Sequence, residues 1–233
     1  ATNSLGVFMT EVISIDCKTS NTKACLQAIE KSIQKSHWVE LSSGKIASNN
    51  LSNVVFPKGP GFIISSSGTS GNPSQCLHTC RNLNQSAKAS GIWLEEQGVE
   101  LKSCHIINTL PIHHVSGLMP WWRSRSWGAE HTWIQPALMR DPSSLEKHAQ
   151  SLLLKKSTLL ITSLVPTQLQ RLLKEPAGIR WLKLFTVIWV GGASLQKDLA
   201  DFARQQEIRL APCYGSTETM AMVTSSRPDK FLL

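Results

Sequence analysis

The spacing of apolar and polar residues predicts helices and strands that alternate along most of the chain. Residues 22–36 carry apolar side chains at helical spacing, and the apolar run at 62–64 predicts a short strand. Further strands are predicted at 103–110, 158–162, 184–190 and 208–211, and further helices at 79–97, 142–154, 166–174 and 195–206. Residues 1–20 are weakly patterned.

This alternation predicts an α/β fold with largely parallel sheets flanked by helices. In such sheets, ligands bind at the loops that follow the carboxyl ends of the strands. Four loops with chemically useful side chains occur at such positions. We expect residues 1–60 to form a helical and irregular segment that packs on a core, residues 61–233, which carries these loops.

The composition indicates a folded protein. Of the 233 residues, 41% are hydrophobic and 17% are charged, which argues against disorder, because disordered chains combine low hydrophobicity with high charge. No apolar run reaches the ~20 residues of a membrane helix, and the first residues show no signal-peptide pattern. We therefore expect a soluble, cytoplasmic protein whose six cysteines are reduced.

The net charge of +8 leaves nucleic acid, an anionic membrane and polyanionic small molecules open as partners. The positive residues are scattered, with no run longer than Lys155-Lys156, whereas nucleic-acid binders cluster their charge on one face. The pattern therefore argues against nucleic acid. Cys76, His78 and Cys80 look like metal ligands, but a zinc site usually needs a second short cluster, which this sequence lacks.

A loop of small and hydroxyl-bearing residues follows the strand predicted at 62–64. It runs from Ser65 to Pro73 and has the sequence Ser-Ser-Ser-Gly-Thr-Ser-Gly-Asn-Pro. Small residues let the backbone approach a phosphate closely, and the hydroxyl groups add hydrogen-bond donors. The loop matches neither the Walker motif nor the dinucleotide-binding fingerprint. Taken alone, such a loop is more often a flexible turn than a phosphate site.

Three further loops carry residues with binding or catalytic chemistry. The first contains His113 and His114, of which an extended chain directs at most one toward a given pocket. The second, Gly-Gly-Ala at 191–193, lets a flat ligand lie against the backbone. The third, Cys-Tyr-Gly-Ser-Thr-Glu-Thr at 213–219, places a ring, hydroxyl groups and a carboxylate close together. A carboxylate beside phosphate-binding hydroxyl groups is suited to Mg²⁺.

The order and spacing of these loops resemble the adenylate-forming (AMP-binding) superfamily, which includes acyl-CoA ligases, luciferases and peptide-synthetase adenylation domains. The resemblance covers residues 62–224, and Tyr-Gly-Ser-Thr-Glu at 214–218 is its most specific part. Ser-Leu-Val-Pro-Thr-Gln-Leu at 163–169, and His-Val-Ser-Gly followed by Trp-Arg within 114–123, are similar to the o-succinylbenzoate–CoA ligase branch of menaquinone and phylloquinone synthesis. The implied fold is the large N-terminal domain of these enzymes.

The resemblance implies a reaction in two halves. A carboxylate attacks the α-phosphate of MgATP, which gives an acyl-adenylate and pyrophosphate, and the thiol of coenzyme A then displaces AMP. The residues that it assigns to ATP are Ser66, Ser67, Gly68, Thr69, Ser70 and Gly71 at the β- and γ-phosphates, Gly191, Gly192 and Ala193 along the adenine and acyl pocket, Tyr214 stacked on adenine, Gly215 and Ser216 beside it, and Thr217 at the α-phosphate.

The resemblance also assigns catalytic and acid-binding roles. His114 would lie between the carboxylate and the phosphates, Thr217 would act beside it, and Glu218 would bind Mg²⁺. The carboxylic acid would contact Gly192, Ser116 and Arg123. Seven residues separate the last two, so they share a face if 115–127 is helical.

An alternative to the acid-binding role of Arg123 stays open. Without the resemblance, Arg123 and Arg125 are better interpreted as a solvated basic edge that accounts for part of the net charge.

The chain departs from the family pattern in three places. The phosphate loop continues Pro73-Ser74-Gln75 where the family has Pro-Lys-Gly, so the loop cation is missing. The segment before this loop is short, and the sequence ends before the family's ribose-binding aspartate, hinge and small C-terminal domain. We expect the core of a large domain, either a fragment or a truncated product.

The leading hypothesis is an ATP-dependent acid–thiol ligase that acts on o-succinylbenzoate. One alternative is an acyl-CoA ligase for another aryl or fatty acid, which would need no cation in its acyl pocket. A second alternative is a nucleotide-binding fragment or pseudoenzyme, which would retain ATP without releasing pyrophosphate. The sequence leaves the oligomeric state open.

Overall fold

The computed structural model describes residues 10–17, 22–44, 51, 54–66, 74–153 and 158–226. The chain divides into two compact units, residues 1–81 and 82–233, which we call unit 1 and unit 2. Each unit is built on a sheet of its own. The α/β class with largely parallel sheets is confirmed in both units.

Unit 1 contains a four-stranded sheet of order β1-β2-β3-β4. The strands are β1 (Val12–Asp16), β2 (Trp38–Ser42), β3 (Gly61–Ser65) and β4 (Gln75–Thr79). The first three are parallel and β4 is antiparallel to β3. Helix α1 (Thr22–Gln34) buries Cys25 and Ile29, and the fully buried residues Phe62, Ile63 and Ile64 make β3 the centre of the core.

The second strand of unit 1 carries a buried carboxylate. The Glu40 residue is 6% exposed. Its Oε2 accepts a hydrogen bond from Ser14 Oγ at 2.7 Å, and its Oε1 accepts one from Gln75 Nε2 at 3.0 Å. Burial of an unpaired polar or charged group has a large free-energy cost, and these two donors reduce that cost for Glu40. The two hydrogen bonds also connect β1, β2 and β4.

Unit 2 contains a six-stranded sheet of order β10-β9-β8-β7-β5-β6. Its strands are β5 (Cys104–Asn108), β6 (Glu130–Trp133), β7 (Leu159–Leu164), β8 (Phe185–Val190), β9 (Leu210–Ser216) and β10 (Ala221–Ser225). All neighbouring pairs are parallel except β9 and β10. The helices from residue 80 onward are α2 (Cys80–Glu96), α3 (Val115–Trp127), α4 (Pro142–Leu153), α5 (Pro166–Leu172), α6 (Pro176–Lys183) and α7 (Lys197–Gln205).

The central strands of unit 2 are buried on both faces. Leu160 and Ile188 belong to one apolar cluster, whereas their chain neighbours Ile161 and Val187 belong to another. Successive side chains of a strand point to opposite faces, so the two clusters lie on opposite sides of the sheet. This burial accounts for the continuous apolar runs that predicted β7 and β8.

Most of the predicted elements are confirmed, and several observed elements were not predicted. The predicted helix 79–97 corresponds to α2, but strand β4 lies between the glycine-rich loop and that helix. Strands β1, β2, β4, β6 and β10 and helix α6 have no counterpart in the sequence analysis. The sheet of unit 1 includes β3 and β4, which lie beyond residue 60, and the division into 1–60 and 61–233 stays a prediction about domain organisation.

All six cysteines are free thiols, and the sulfur atoms of Cys17 and Cys25 lie 3.6 Å apart. In the described ranges, no group of three or more His, Cys, Asp or Glu side chains is placed to hold a metal ion. None of the helices formed by those residues is long and apolar enough to cross a membrane.

Candidate active site

Four parallel strands of unit 2 end at one edge of the sheet. Their register places Asn108 beside Ser163 and Ser163 beside Trp189, and Trp189 in turn pairs with Ala211. Strand β9 continues beyond the end of β8. The loops that leave this edge hold three of the predicted motifs, at 110–117, 191–193 and 213–219. The topology therefore brings these motifs to the edge where α/β sheets bind ligands.

The first of these loops is anchored by a buried amide. Asn108 is 1% exposed, donates from Nδ2 to the Gly117 carbonyl at 2.9 Å, and accepts from the Leu110 N–H at 3.2 Å. A Cβ atom on Gly117 would lie 2.0 Å from the Pro111 carbonyl oxygen, so this close approach requires glycine. The contacts fix the start of α3 against the end of β5.

His113 and His114 lie just before α3, with their ring centroids 4.2 Å apart. The His114 carbonyl accepts hydrogen bonds from the first turn of the helix, from Gly117 and Leu118. Its side chain remains solvent-accessible, and partial burial lowers the pKa of His114 below its usual value of 6.5. A neutral imidazole at pH 7 has one nitrogen that donates and one that accepts.

Helix α3 spans Val115–Trp127, so the condition under which Ser116 and Arg123 share a face is met. The side chain of Ser116 is exposed in its first turn. Pro120 has no N–H, so the Ser116 carbonyl lacks its usual helical donor. Two turns along, Arg123 is only 4% exposed, whereas Arg125 is exposed. The interpretation of Arg123 as part of a solvated basic edge is therefore wrong.

The guanidinium group of Arg123 lies among apolar and neutral groups. Its Nε donates to Ser90 Oγ at 3.0 Å, and its central carbon lies 5.0 Å from the Trp189 ring centroid. Nη2 is fully buried and has no hydrogen-bond partner in the described part of the chain. Burial lowers the pKa of Arg123 to about 10, so the group stays charged at pH 7.

The neighbouring thiol does not neutralise this cation. Burial raises the pKa of Cys213 to about 11, although Arg123 acts in the opposite direction, so the thiol is protonated at pH 7. Within the described residues, Arg123 forms no ion pair with a carboxylate. A charged group in this setting is costly unless a ligand supplies the missing acceptor.

The glycine motif after β8 allows close backbone approach. A Cβ atom on Gly191 would lie 2.8 Å from Cys213 Sγ, and the Gly191 N–H donates to the Leu164 carbonyl at 3.2 Å. Gly192 has a φ of 84°, which side-chain-bearing residues rarely adopt, and both it and Ala193 are exposed. An accessible backbone surface thus lies at the sheet edge, as a flat ligand requires.

The Tyr-Gly-Ser-Thr-Glu motif runs from the end of β9 into the turn before β10. Tyr214 is 73% exposed, so its ring is accessible to a ligand. A Cβ atom on Gly215 would lie 1.6 Å from the Ala221 carbonyl oxygen, which makes glycine obligatory in this pairing. Thr217 is half-buried and Glu218 is exposed in the turn.

The turn that carries Thr217 and Glu218 is held by a side chain of its own. The Ser216 N–H donates to Thr219 Oγ1 at 2.9 Å, and Thr219 Oγ1 donates to the Ala221 carbonyl at 3.1 Å. These bonds fix the backbone of the turn that carries the Thr217 hydroxyl and the Glu218 carboxylate.

The predicted phosphate loop connects β3 to β4 in unit 1. Ser66 is buried, its N–H donates to the Ser74 carbonyl at 2.8 Å, and the two hydroxyl oxygens lie 2.7 Å apart. The hydroxyl groups of Ser66 and Ser74 therefore join the two ends of the loop. The predicted residues Ser67, Gly68, Thr69, Ser70 and Gly71 lie outside the described residues.

Comparison with known proteins decides the family. The family of AMP-binding enzymes matches residues 7–231. The chain belongs to the AMP-binding enzyme family. A curated relative, the 2-succinylbenzoate–CoA ligase of Listeria monocytogenes, is 30% identical over 170 residues, which cover 73% of this chain and 34% of that protein.

Solved structures show the same fold. A variant of E. coli MenE with bound OSB-AMS matches at a TM-score of 0.68 and 22% identity, over 97% of this chain and 53% of that one. O-succinylbenzoate coenzyme A synthetase (MenE) from Bacillus subtilis, in complex with ATP and magnesium ion, matches at a TM-score of 0.62 and 19% identity, over 94% and 47%. This AMP-binding enzyme chain thus spans about half the length of these structures, and about a third of the curated relative.

Two groups of contacts in this AMP-binding enzyme were missed by sequence reasoning. Ser90 and Trp189 surround Arg123, although no local pattern links a helix serine or a strand tryptophan to that arginine. Gln168 joins two loops of the sheet edge, since its Oε1 accepts from the Val165 N–H and its Nε2 donates to the Thr109 carbonyl. The capping position of Gln168, three residues after Val165, was the available signal for this second contact.

Proposed function

We propose that the complete protein is an ATP-dependent acid–thiol ligase that joins o-succinylbenzoate to coenzyme A. Membership of the AMP-binding family supports the activation chemistry. The similarity to 2-succinylbenzoate–CoA ligases supports the choice of acid and thiol. The cytoplasm as its location and menaquinone or phylloquinone synthesis as its pathway belong to the same proposal.

The buried guanidinium group of Arg123 is the observation that carries the choice of acid. o-Succinylbenzoate has two carboxylates, and the reaction consumes only one of them. A second carboxylate bound at Arg123 would supply the acceptor that Nη2 lacks among the described residues. A planar guanidinium group suits a carboxylate better than an ammonium group does. A fatty acid would leave this charge buried without a counter-ion.

The accessible groups of the sheet edge fit ATP and the reacting carboxylate. Tyr214 offers an exposed ring to adenine, and Gly192 offers an exposed backbone surface to the nucleotide and the acid. His114 is neutral at pH 7 and can hydrogen-bond to the carboxylate or the phosphate. Ser116, exposed at the start of α3, would contact the acid, and Thr217 would contact the α-phosphate.

Glu218 is the residue proposed to bind Mg²⁺. Protein sites for this ion commonly use one or two carboxylates and take the other ligands from substrate phosphates and water. One exposed carboxylate beside Thr217 fits that donor set. When bound, the ion neutralises phosphate charge. In this chain, the Thr217 hydroxyl would orient the α-phosphate.

The proposal is tested by replacing Arg123 in the complete protein. Arg123→Ala removes the cation, and pyrophosphate release is then measured with o-succinylbenzoate and with a monoacid analogue that lacks the remote carboxylate. Loss of a buried charged contact costs ~2–5 kcal/mol. We therefore expect kcat/KM for the diacid to fall by roughly 30- to 3,000-fold, with little change for the monoacid.

Each alternative function predicts another result. An acyl-CoA ligase for a different acid would prefer a monoacid in the unmodified protein. A nucleotide-binding pseudoenzyme would bind ATP but release no pyrophosphate with either acid. If Arg123→Ala slows both acids equally, the arginine has a structural role and the assignment to o-succinylbenzoate loses its main support.

A further inference from the structure

The Ser90 hydroxyl group accepts a hydrogen bond from Arg123. Ser90 lies in α2 and is 5% exposed. Its hydroxyl hydrogen is directed to backbone carbonyls of the preceding turn, Ser86 at 2.8 Å and Ala87 at 3.2 Å. A serine hydroxyl has one hydrogen and two lone pairs. With the hydrogen directed to a carbonyl, the oxygen keeps both lone pairs, and one of them accepts the Arg123 Nε–H at 3.0 Å.

A second contact restricts the plane of the same guanidinium group. Its central carbon lies 5.0 Å from the Trp189 ring centroid, within the range of a cation–π contact. Trp189 is 3% exposed, and its ring lies 5.9 Å from that of Trp93. A packed ring on one side and a fixed acceptor at Nε leave the guanidinium group little freedom to rotate.

The helix that carries Ser90 is fixed relative to α3 by two tryptophans. Trp127 Nε1 donates to the Ala87 carbonyl at 2.9 Å, and Trp122 Nε1 donates to Asn84 Oδ1 at 2.9 Å. Both acceptors belong to α2, within two turns of Ser90. The hydroxyl group is thus held at a defined distance from the helix that carries Arg123.

We propose that Ser90 and Trp189 are positioning residues, which orient the Arg123 guanidinium group so that Nη2 faces the remote carboxylate of the acid. This inference rests on the proposed function and extends it from the arginine to the groups that determine its selectivity. Ser90 does not touch the substrate in this arrangement. Its effect passes through Arg123.

The experiment compares Ser90→Ala with Ser32→Ala in the complete protein. Ser32 is a matched control, because it is 6% exposed and its hydroxyl group also donates to the carbonyl four residues earlier, Ala28, at 2.8 Å. It lies in α1, and the bonds described for its side chain include none to an arginine. Pyrophosphate release is measured for each variant with o-succinylbenzoate and with the monoacid analogue.

Ser90→Ala is expected to change selectivity rather than general activity. A hydrogen bond to a charged group corresponds to about 10- to 100-fold in affinity. We expect KM for the diacid to rise by about 10-fold or more, with kcat and the monoacid kinetics changed by less than about 2-fold. Ser32→Ala should leave the ratio of the two acids unchanged. Activity with the monoacid also shows that each variant is folded.

A double variant tests whether the effect passes through the arginine. In an Arg123→Ala background, Ser90→Ala should cause no further loss with the diacid, because the group that it orients is absent. A further loss of the same size, or equal losses with both acids, would overturn the positioning role. If Ser90→Ala leaves the ratio of the kcat/KM values for the two acids unchanged, the positioning role is also overturned, while the proposed function is unaffected. If the unmodified protein shows no preference for the diacid, the proposed function and this inference fail together.

Discussion

At the scale of single residues, the residues that hold the turns of the candidate active site differ from the residues proposed to take part in the reaction. Gly215 and Thr219 hold the turn before β10 by close packing and hydrogen bonds. Glu218 lies exposed in that turn. Replacement of the Glu218 carboxylate by its amide keeps these contacts of Gly215 and Thr219.

Glu218→Gln should therefore remove Mg²⁺-dependent activation and leave the protein folded. The amide keeps the size of the side chain but lacks the charge that a hard cation prefers. We expect kcat/KM for MgATP to fall by about 100-fold, which corresponds to roughly 3 kcal/mol of lost stabilisation. Pyrophosphate release as a function of Mg²⁺ concentration checks the prediction, with the exposed Glu175→Gln as a control. Unchanged release in Glu218→Gln would exclude the role in metal binding.

The sequence shows which residues carry chemistry better than it shows which residues support them. The motif residues His114, Arg123 and Glu218 could be chosen because their order along the chain is characteristic. Ser90 and Trp189 could not, because their contact with Arg123 depends on how α2, α3 and β8 pack. A serine 33 positions away becomes the partner of an arginine only once the fold exists.

At the scale of elements, the strands at the edges of the two sheets were not predicted from the sequence. β1 and β4 border the sheet of unit 1, and β6 and β10 border that of unit 2. Edge strands bury less of their surface, so their apolar pattern is weaker than that of the central β7 and β8. The central strand β2 was not predicted for another reason. The polar Glu40 interrupts its apolar residues, and hydrogen bonds stabilise this side chain in its buried position.

The edge strand β6 holds a polar cluster against β5. His105 Nδ1 lies 3.1 Å from Glu130 Oε2, and its Nε2 lies 2.7 Å from Thr132 Oγ1. His131 Nε2 accepts from Asn108 Nδ2 at 3.2 Å. Burial, with a smaller contribution from the charge of His105, lowers the pKa of His131 to about 4. The folded protein thus requires a neutral imidazole at this position.

Acid should therefore destabilise this region over a defined range of pH. The pKa of His131 is about 4 in the folded state and about 6.5 in the unfolded state, so the unfolded state binds the proton more readily. The contribution is complete above pH 6.5 and is lost as the pH falls from 6.5 to 4. We expect the free energy of unfolding to decrease by about 3 kcal/mol across this interval from His131 alone.

Urea unfolding between pH 7 and pH 4 measures this loss. His131→Gln, which cannot titrate, should show a shallower pH dependence than the unmodified protein over the same interval. His148→Gln is the control, since it removes a histidine elsewhere in unit 2. If His131→Gln and the unmodified protein have the same slope, the imidazole does not carry the pH dependence.

At the scale of the whole molecule, most tryptophans lie inside while the positive charge is dispersed along the sequence. Six of the eight tryptophans are buried, and the other two, Trp93 and Trp133, are half-buried. Tyr214, the single tyrosine, is the exposed aromatic residue of the candidate active site. Proteins that bind single-stranded nucleic acid combine a basic groove with successive aromatic platforms. Among the described residues, Tyr214 and Phe202 are the exposed aromatic side chains, and a net charge of +8 with so few platforms fits small polyanions better than RNA.

The 233-residue chain should therefore bind RNA weakly and lose that binding in salt. Contacts with phosphates alone give dissociation constants of about 10⁻⁴–10⁻⁶ M at physiological salt. We expect a labelled single-stranded RNA to bind no more tightly than this in fluorescence anisotropy at 0.15 M salt. ATP with Mg²⁺ should raise the thermal unfolding midpoint of the same sample, because a ligand that binds the folded state stabilises it. Nanomolar binding of RNA would contradict this prediction. So would a Tyr214→Ala variant in which RNA binding is weakened more than ATP binding, because nucleic acid would then be the preferred partner of the exposed ring.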